Sequence, residues 1–233
     1  MMQFFESIAQ QFNKTFIVDD RYMYFLNGLK NTIITALAAT LMGIVIGIII
    51  AIIKVLHKKT GKLGFLNWIF ELYTTVIRGT PVVLQLLISY NLIFVFSNNA
   101  VMIGIIAFGI NSGAYVSEII RAGIMAVDDG QTEAGRSLGL SQLQTMRLIV
   151  LPQAFKNVLP ALGNEFIALL KETSVIGYLG VMDLTKAAES VISRTANVYF
   201  PYLTIAVIYL IMVHGLSKLF NLLERRFAQS DRG

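Results

Sequence analysis

Residues 79–117 run for 39 positions without one charged side chain. About 20 mostly apolar residues suffice for a helix to cross the hydrocarbon core of a bilayer. The run is therefore long enough for two crossings, and Ser97-Asn98-Asn99 supplies a polar turn between them. Two further uncharged runs, 32–53 and 195–217, have 22 and 23 residues. A fourth stretch, 157–170, is apolar after its opening Asn157 except for Asn164 and Glu165. It is short for a lipid-exposed span but adequate for a helix shielded by its neighbours. The pattern predicts an all-α integral membrane fold with about five transmembrane helices, near 26–56, 66–96, 100–125, 155–175 and 199–222. All of it reads as one transmembrane domain, 1–233.

The composition agrees. Charged residues are 14% of the chain, against about 25% in soluble domains, and the mean hydropathy is +0.67. The sequence has no cysteine, which removes disulfides and thiol chemistry. Its two histidines, His57 and His214, lie far apart, so neither a histidine metal site nor a Ser–His pair is expected. No G-xxxx-G-K-[ST] phosphate loop occurs; Gly61-Lys62 lacks the earlier glycine and the following hydroxyl residue. The opening Met-Met-Gln-Phe-Phe-Glu lacks the basic start of a secretory signal. Phe4, Phe5, Ile8 and Phe12 fall near one helical face, so segment 1–25 is expected to lie in the membrane interface.

Charge placement orients the spans. The links after the first and third spans, with the C-terminal end, carry twelve basic residues, among them Lys54, Lys58, Arg121, Arg136 and Arg225. The opposite links carry five: Lys14, Arg21, Lys171, Lys186 and Arg194. Basic residues favour the cytoplasmic side, which puts the N-terminus outside and the C-terminus inside. The net charge of +5 thus reads as a topology signal and not as a nucleic-acid footprint. Gly43/Gly47 and Gly109/Gly113 form two G-xxx-G pairs, which permit close helix contact within the chain or between chains.

One basic-side link is polar throughout. In 127–153, Asp128, Asp129 and Glu133 stand at a helix start, where the helix dipole favours negative charge. Gly139 breaks that helix, and Ser141 with Gln144 has the spacing of a capping box. Helix, turn, helix is expected, ending before Pro152. Such a segment is either a surface loop or a helix that docks into a soluble partner.

Glu133-Ala134-Gly135, three residues, Gly139, nine residues, Ile149, one residue and Leu151-Pro152 together resemble the EAA motif of bacterial ABC importer permeases. Gly135 replaces the usual second alanine. Residues 73–81, ending Arg78-Gly79-Thr80-Pro81, residues 114–123 and residues 170–174 are similar to segments of the polar amino-acid permeases. The resemblance covers about 25–220. It implies a multi-pass subunit of the bacterial cytoplasmic membrane that carries polar amino acids. Its segment 127–152 would couple through Glu133, Ala134, Gly135, Gly139 and Leu140 to an ABC ATPase present in two copies. It also implies a second permease chain, with an identical copy favoured, and an extracytoplasmic binding protein. ATP and Mg would belong to the ATPase, with no cofactor in this chain and no enzymatic activity of its own. A passive pore is the alternative.

Ionisable groups inside spans are expensive and mark function or pairing. Glu118 has Arg121 one turn away, and Arg78 is a further possible partner. Glu165 has no basic residue at i±3 or i±4; it either lines a water-filled path or pairs with Arg78 or Lys171. With Asn164, Gln85, Asn111, Tyr115 and Glu118 it forms the candidate substrate-binding set. Lys171, Glu172 and Asp183 are expected to be solvated on the outer side.

Overall fold

The computed structural model describes residues 2–229, with side chains for 6–226. Phe4, Phe5 and Arg232, used above, have side chains outside the described residues. Helices make up the fold, with no strand among the described residues. Helix α1 is Met2–Phe12. It leads through a turn, in which Arg21 binds the Lys14 carbonyl at 2.6 Å and the Asp19 carboxylate at 2.7 Å, into α2, Tyr22–Thr60.

At 1.5 Å per residue, the 39 residues of α2 reach about 58 Å, well beyond a hydrocarbon core of about 30 Å. The helix starts four residues before the predicted span and ends four after it, because polar residues extend it past the lipid. Gly61 stops it in the left-handed region at φ 68°, donating to the His57 carbonyl at 2.8 Å.

The second span is not straight. Helices α3 (Gly64–Arg78) and α4 (Val82–Ile88, continuing as a wide turn to Ile93) are bent by 106°. The break is Gly79-Thr80-Pro81. Pro81 disfavours helical geometry at the residue before it. A side chain at Gly79 would put Cβ 2.7 Å from the Thr75 carbonyl oxygen. Asn99 caps α5 (Ala100–Met125) by accepting from the Met102 N–H at 3.0 Å.

Helix α5 is the centre of the bundle and packs most extensively on α2. Both G-xxx-G pairs are consumed there. A Cβ on Gly43 would meet Ser112 at 2.8 Å, and one on Gly47 would meet Val116 at 2.5 Å. Those on Gly109 and Gly113 would meet Met42 and Ile46 at 2.7 Å. The small residues bring two helices of one chain together and are not left over for a second chain.

Helix α6 (Asp129–Ser137) and α7 (Gln142–Thr145) form the expected helix–turn–helix. Pro152 does not end it. A wide turn at Met146–Val150 runs on into α8, Leu151–Glu172, with Pro152 in its first turn. There the missing N–H costs little. After a 3-10 turn, Thr173–Leu179, come α9 (Leu184–Thr195) and α10 (Tyr199–Gln229).

Among the described residues three helices, α2, α5 and α10, are long and apolar enough to span a membrane, and the bent pair α3–α4 makes a fourth if it is one span. The remaining expected span, near 155–175, corresponds to α8, whose 22 residues are enough length but which is not among the helices apolar enough to span. It also carries Lys156, Glu165, Lys171 and Glu172 and packs against α5 and α10. Asp183 departs from the solvated role expected of it. It is fully buried and caps α9 by accepting from the Lys186 N–H at 2.8 Å. Asn31 and Thr32 of α2 hold the adjacent backbone at 2.8 and 3.3 Å.

Candidate functional site

The polar groups inside the bundle separate into three sets. In the first, Glu165 sits mid-way along α8 and accepts from the Ser112 hydroxyl of α5 at 3.1 Å. Among the described residues no basic nitrogen lies within 4.0 Å of its carboxylate. Asn164 beside it is exposed, and Glu165 itself is half-buried. Tyr115 lies three residues beyond Ser112, on the same face of α5. Its ring carries the Arg78 guanidinium, 5.3 Å from the centroid. Arg78, one of the two cations considered for Glu165, is thus turned to an aromatic face instead.

Gln85 and Asn111 form the second set. Asn111, 3% exposed, donates to the Gln85 carbonyl oxygen at 2.9 Å. The Gln85 amide donates to the Ile77 carbonyl at 2.7 Å and to the Thr80 carbonyl and hydroxyl at 3.0 and 2.8 Å. Carbonyls released by the 106° break are satisfied by this one side chain. Tyr73 adds a hydrogen bond to the Ile110 carbonyl. Two members of the candidate substrate set therefore spend these hydrogen bonds on holding the bent span against α5.

The third set is ionic. Lys54, 3% exposed on α2, reaches Glu118 at 2.7 Å, the Thr74 hydroxyl at 3.0 Å and Glu71 at 3.3 Å. Arg121 closes on the other Glu118 oxygen through two nitrogens, at 3.0 and 2.8 Å. Glu118 is thus held by two cations and ties α2, α3 and α5 at one end of the bundle. Sequence reasoning counted Lys54 only as a topology-setting charge of the link after the first span and missed this role. The signal was its place seven residues after Gly47, on the face that α2 turns to α5.

Directly beyond this network, Val55, Ile124, Val127, Val150 and Ala154 form an apolar cluster that seats the α6–α7 elbow. Asp128 caps α6 by accepting from Gly130 N–H at 2.7 Å. Gly139, at φ 85°, ends it. Gly139 donates to the Arg136 carbonyl at 3.0 Å and Leu140 to the Gly135 carbonyl at 3.1 Å, the paired bonds of a Schellman turn. Ser141 and Gln144 form the expected capping box. Gly135 has a local cause: a Cβ there would stand 2.8 Å from Thr145 and from Ile149. Glu133 and Ala134 are exposed and Leu140 is half-buried. Leu138 and Leu143, 82% and 77% exposed, flank the turn as two apolar knobs that the motif alone did not single out. Among the described residues no group of three or more His, Cys, Asp or Glu could hold a metal.

Membrane-length helices tied by buried polar groups, with an exposed elbow that carries two apolar knobs, are the features of a multi-pass membrane subunit. The chain belongs to the family described as the binding-protein-dependent transport system inner membrane component, whose profile matches residues 43–229. It is a multi-pass permease subunit of that inner membrane system. It is 38% identical over 213 residues to a protein assigned as the glutamine transport system permease GlnP of Rickettsia bellii, covering 90% of this chain and 95% of that one. It is 36% identical over 211 residues to the arginine transport system permease ArtQ of Bacillus subtilis, covering 89% and 94%. A solved amino acid ABC transporter with histidines superposes with a TM-score of 0.83 at 43% identity, over 91% of this chain and 98% of that chain.

Proposed function

We propose that the chain forms half of the translocation path of an ATP-driven importer for polar amino acids, with a cationic one such as arginine preferred over glutamine. The carrying observation is Glu165, a mid-helix carboxylate with a hydroxyl partner and no counter-ion among the described residues. A buried carboxylate is costly without compensation, and a passing guanidinium supplies it with two hydrogen bonds. Asn164 and Tyr115 are the proposed partners of the zwitterionic end of the substrate.

Exposed Asn164 and half-buried Glu165 would face lipid in a lone chain, at a cost that a second copy covering them removes. An identical second chain is therefore the proposed partner, meeting across this polar face and not through the glycine pairs. Two ATPase subunits, which hold ATP and Mg, are proposed to seat the α6–α7 elbow with its Leu138 and Leu143 knobs. An extracytoplasmic binding protein delivers substrate on the other side. The N-terminus is placed outside. The elbow and Lys58 share the basic, cytoplasmic end.

The test is uptake into vesicles holding the purified permease–ATPase complex and binding protein, with labelled arginine, lysine and glutamine. ATP-dependent accumulation with arginine ahead is expected. Flux that ignores ATP would contradict the reading. Cysteines placed at 58 and 139, in a chain that has none of its own, should resist impermeant reagents in intact cells.

A further inference from the structure

At the basic end of the bundle, α2, α3 and α5 enclose an open cavity of about 720 Å³ beside the Lys54 network. Its charged lining is Lys54, Lys58, Arg78, Arg121, Glu71 and Glu118. Both carboxylates are already engaged, by Lys54 and by Arg121. Lys58 and Arg78 have no carboxylate within 4.0 Å among the described residues. Two cations thus face a cavity within the size range of small-molecule sites, and among the described residues neither has a carboxylate in ion-pair contact.

The outer wall of the cavity bears on what neutralises them. Helix α3 is two-faced: Asn67, Glu71, Thr75 and Arg78 line the cavity, while Phe65, Trp68, Leu72 and Val76 are turned outward, 74%, 60%, 51% and 50% exposed. Phe65 and Trp68 stack at 6.3 Å in the first turns, beside the Lys58, Lys59 and Lys62 run. Exposed aromatics next to a lysine run mark the height at which hydrocarbon gives way to headgroups.

We infer that this cavity is a binding site for the headgroup of an anionic glycerophospholipid. Its phosphate sits between Lys58 and Arg78 and its acyl chain lies along the outer face of α3. Basic pockets between membrane helices take phosphate headgroups in this way. The Arg78 guanidinium, stacked on Tyr115, keeps its N–H edge for bidentate phosphate recognition. A cationic amino acid is repelled by the same two charges, so the cavity takes an anion, although Arg78 touches Tyr115 at the edge of the proposed path. Bound lipid would bridge α2 and α3, the two helices that Lys54 already joins.

The test is native mass spectrometry of the purified permease–ATPase complex with added phosphatidylglycerol, phosphatidylcholine or inorganic phosphate. Saturable phosphatidylglycerol binding is expected, at least about fivefold tighter than phosphatidylcholine, weakened about fivefold by Lys58→Gln and retained in Lys58→Arg. Lys58 is exposed, so neither variant disturbs packing. Equal binding by wild type and Lys58→Gln would overturn the inference. Displacement of the lipid by millimolar inorganic phosphate would also overturn it, by making the site one for small anions.

Discussion

Glu118 and Glu165 are both carboxylates within the helical bundle of one chain, yet their surroundings differ in kind. Glu118 is gripped by Lys54 and Arg121 at 2.7–3.0 Å. Glu165 has a serine hydroxyl at 3.1 Å and an exposed asparagine next to it. Along α5, Glu118 and the Ser112 contact of Glu165 are six residues apart, about 9 Å of helix rise. A carboxylate saturated by fixed cations has nothing left for a moving ligand and serves to lock helices together. One left without a counter-ion is open to a passing cation, the role proposed for Glu165.

The largest expected effect sharpens that contrast through stability. Glu118→Gln leaves Lys54, whose side chain is 2% exposed, with Glu71 at 3.3 Å as its one carboxylate partner among the described residues, so the loss is a part of the about 3–5 kcal/mol that breaking a buried pair costs. Thermal unfolding of the detergent-solubilised complex should fall steeply, with uptake of every substrate reduced alike. Glu165→Gln should leave unfolding nearly unchanged. Equal destabilisation by both would erase the distinction between them.

A middle-sized effect is expected at the elbow. A glutamate at position 139 must adopt φ 85°, at a cost of about 1–2 kcal/mol, and distorts the Schellman turn between Leu138 and Leu143. Gly139→Glu should reach the membrane but copurify with less ATPase. Glu133→Lys should act in the same direction by reversing a charge near the start of α6. Wild-type copurification with normal ATP hydrolysis in both would remove the elbow from coupling.

The smallest effect is at Gly135. Its missing Cβ leaves room for Thr145 and Ile149, so Gly135→Ala presses on the Ile149 end and on the buried Thr145, an overpacking cost of about 1 kcal/mol. A slight drop in thermal stability with transport retained is expected. Loss of transport without loss of stability would mean that position 135 touches the ATPase directly.

The elbow was legible residue by residue because its signals are local: Asp128, Gly139 and the Ser141–Gln144 box act within a few positions of themselves. Span number came from runs of uncharged residues, and counting those is blind to the 106° break, since a bend leaves the count unchanged. Pro152 misled because a proline is written alike whether it ends a helix or sits in a first turn. Lys54 and the Gln85–Asn111 pair were hidden for a different reason. Their partners lie 64 and 26 residues away, and only the packing of α2, α4 and α5 brings them together. The glycine pairs announced a close contact but not its partner, which proves to be the same chain.

The most direct measurement is the substrate profile of Glu165→Gln in reconstituted vesicles, with Glu118→Gln beside it. If Glu165 meets the substrate charge, arginine and lysine uptake should fall about tenfold or more relative to glutamine, the scale of one charge-assisted hydrogen bond, with the complex intact. Unchanged arginine transport in that variant, or an equal fall for all three amino acids, would contradict the account.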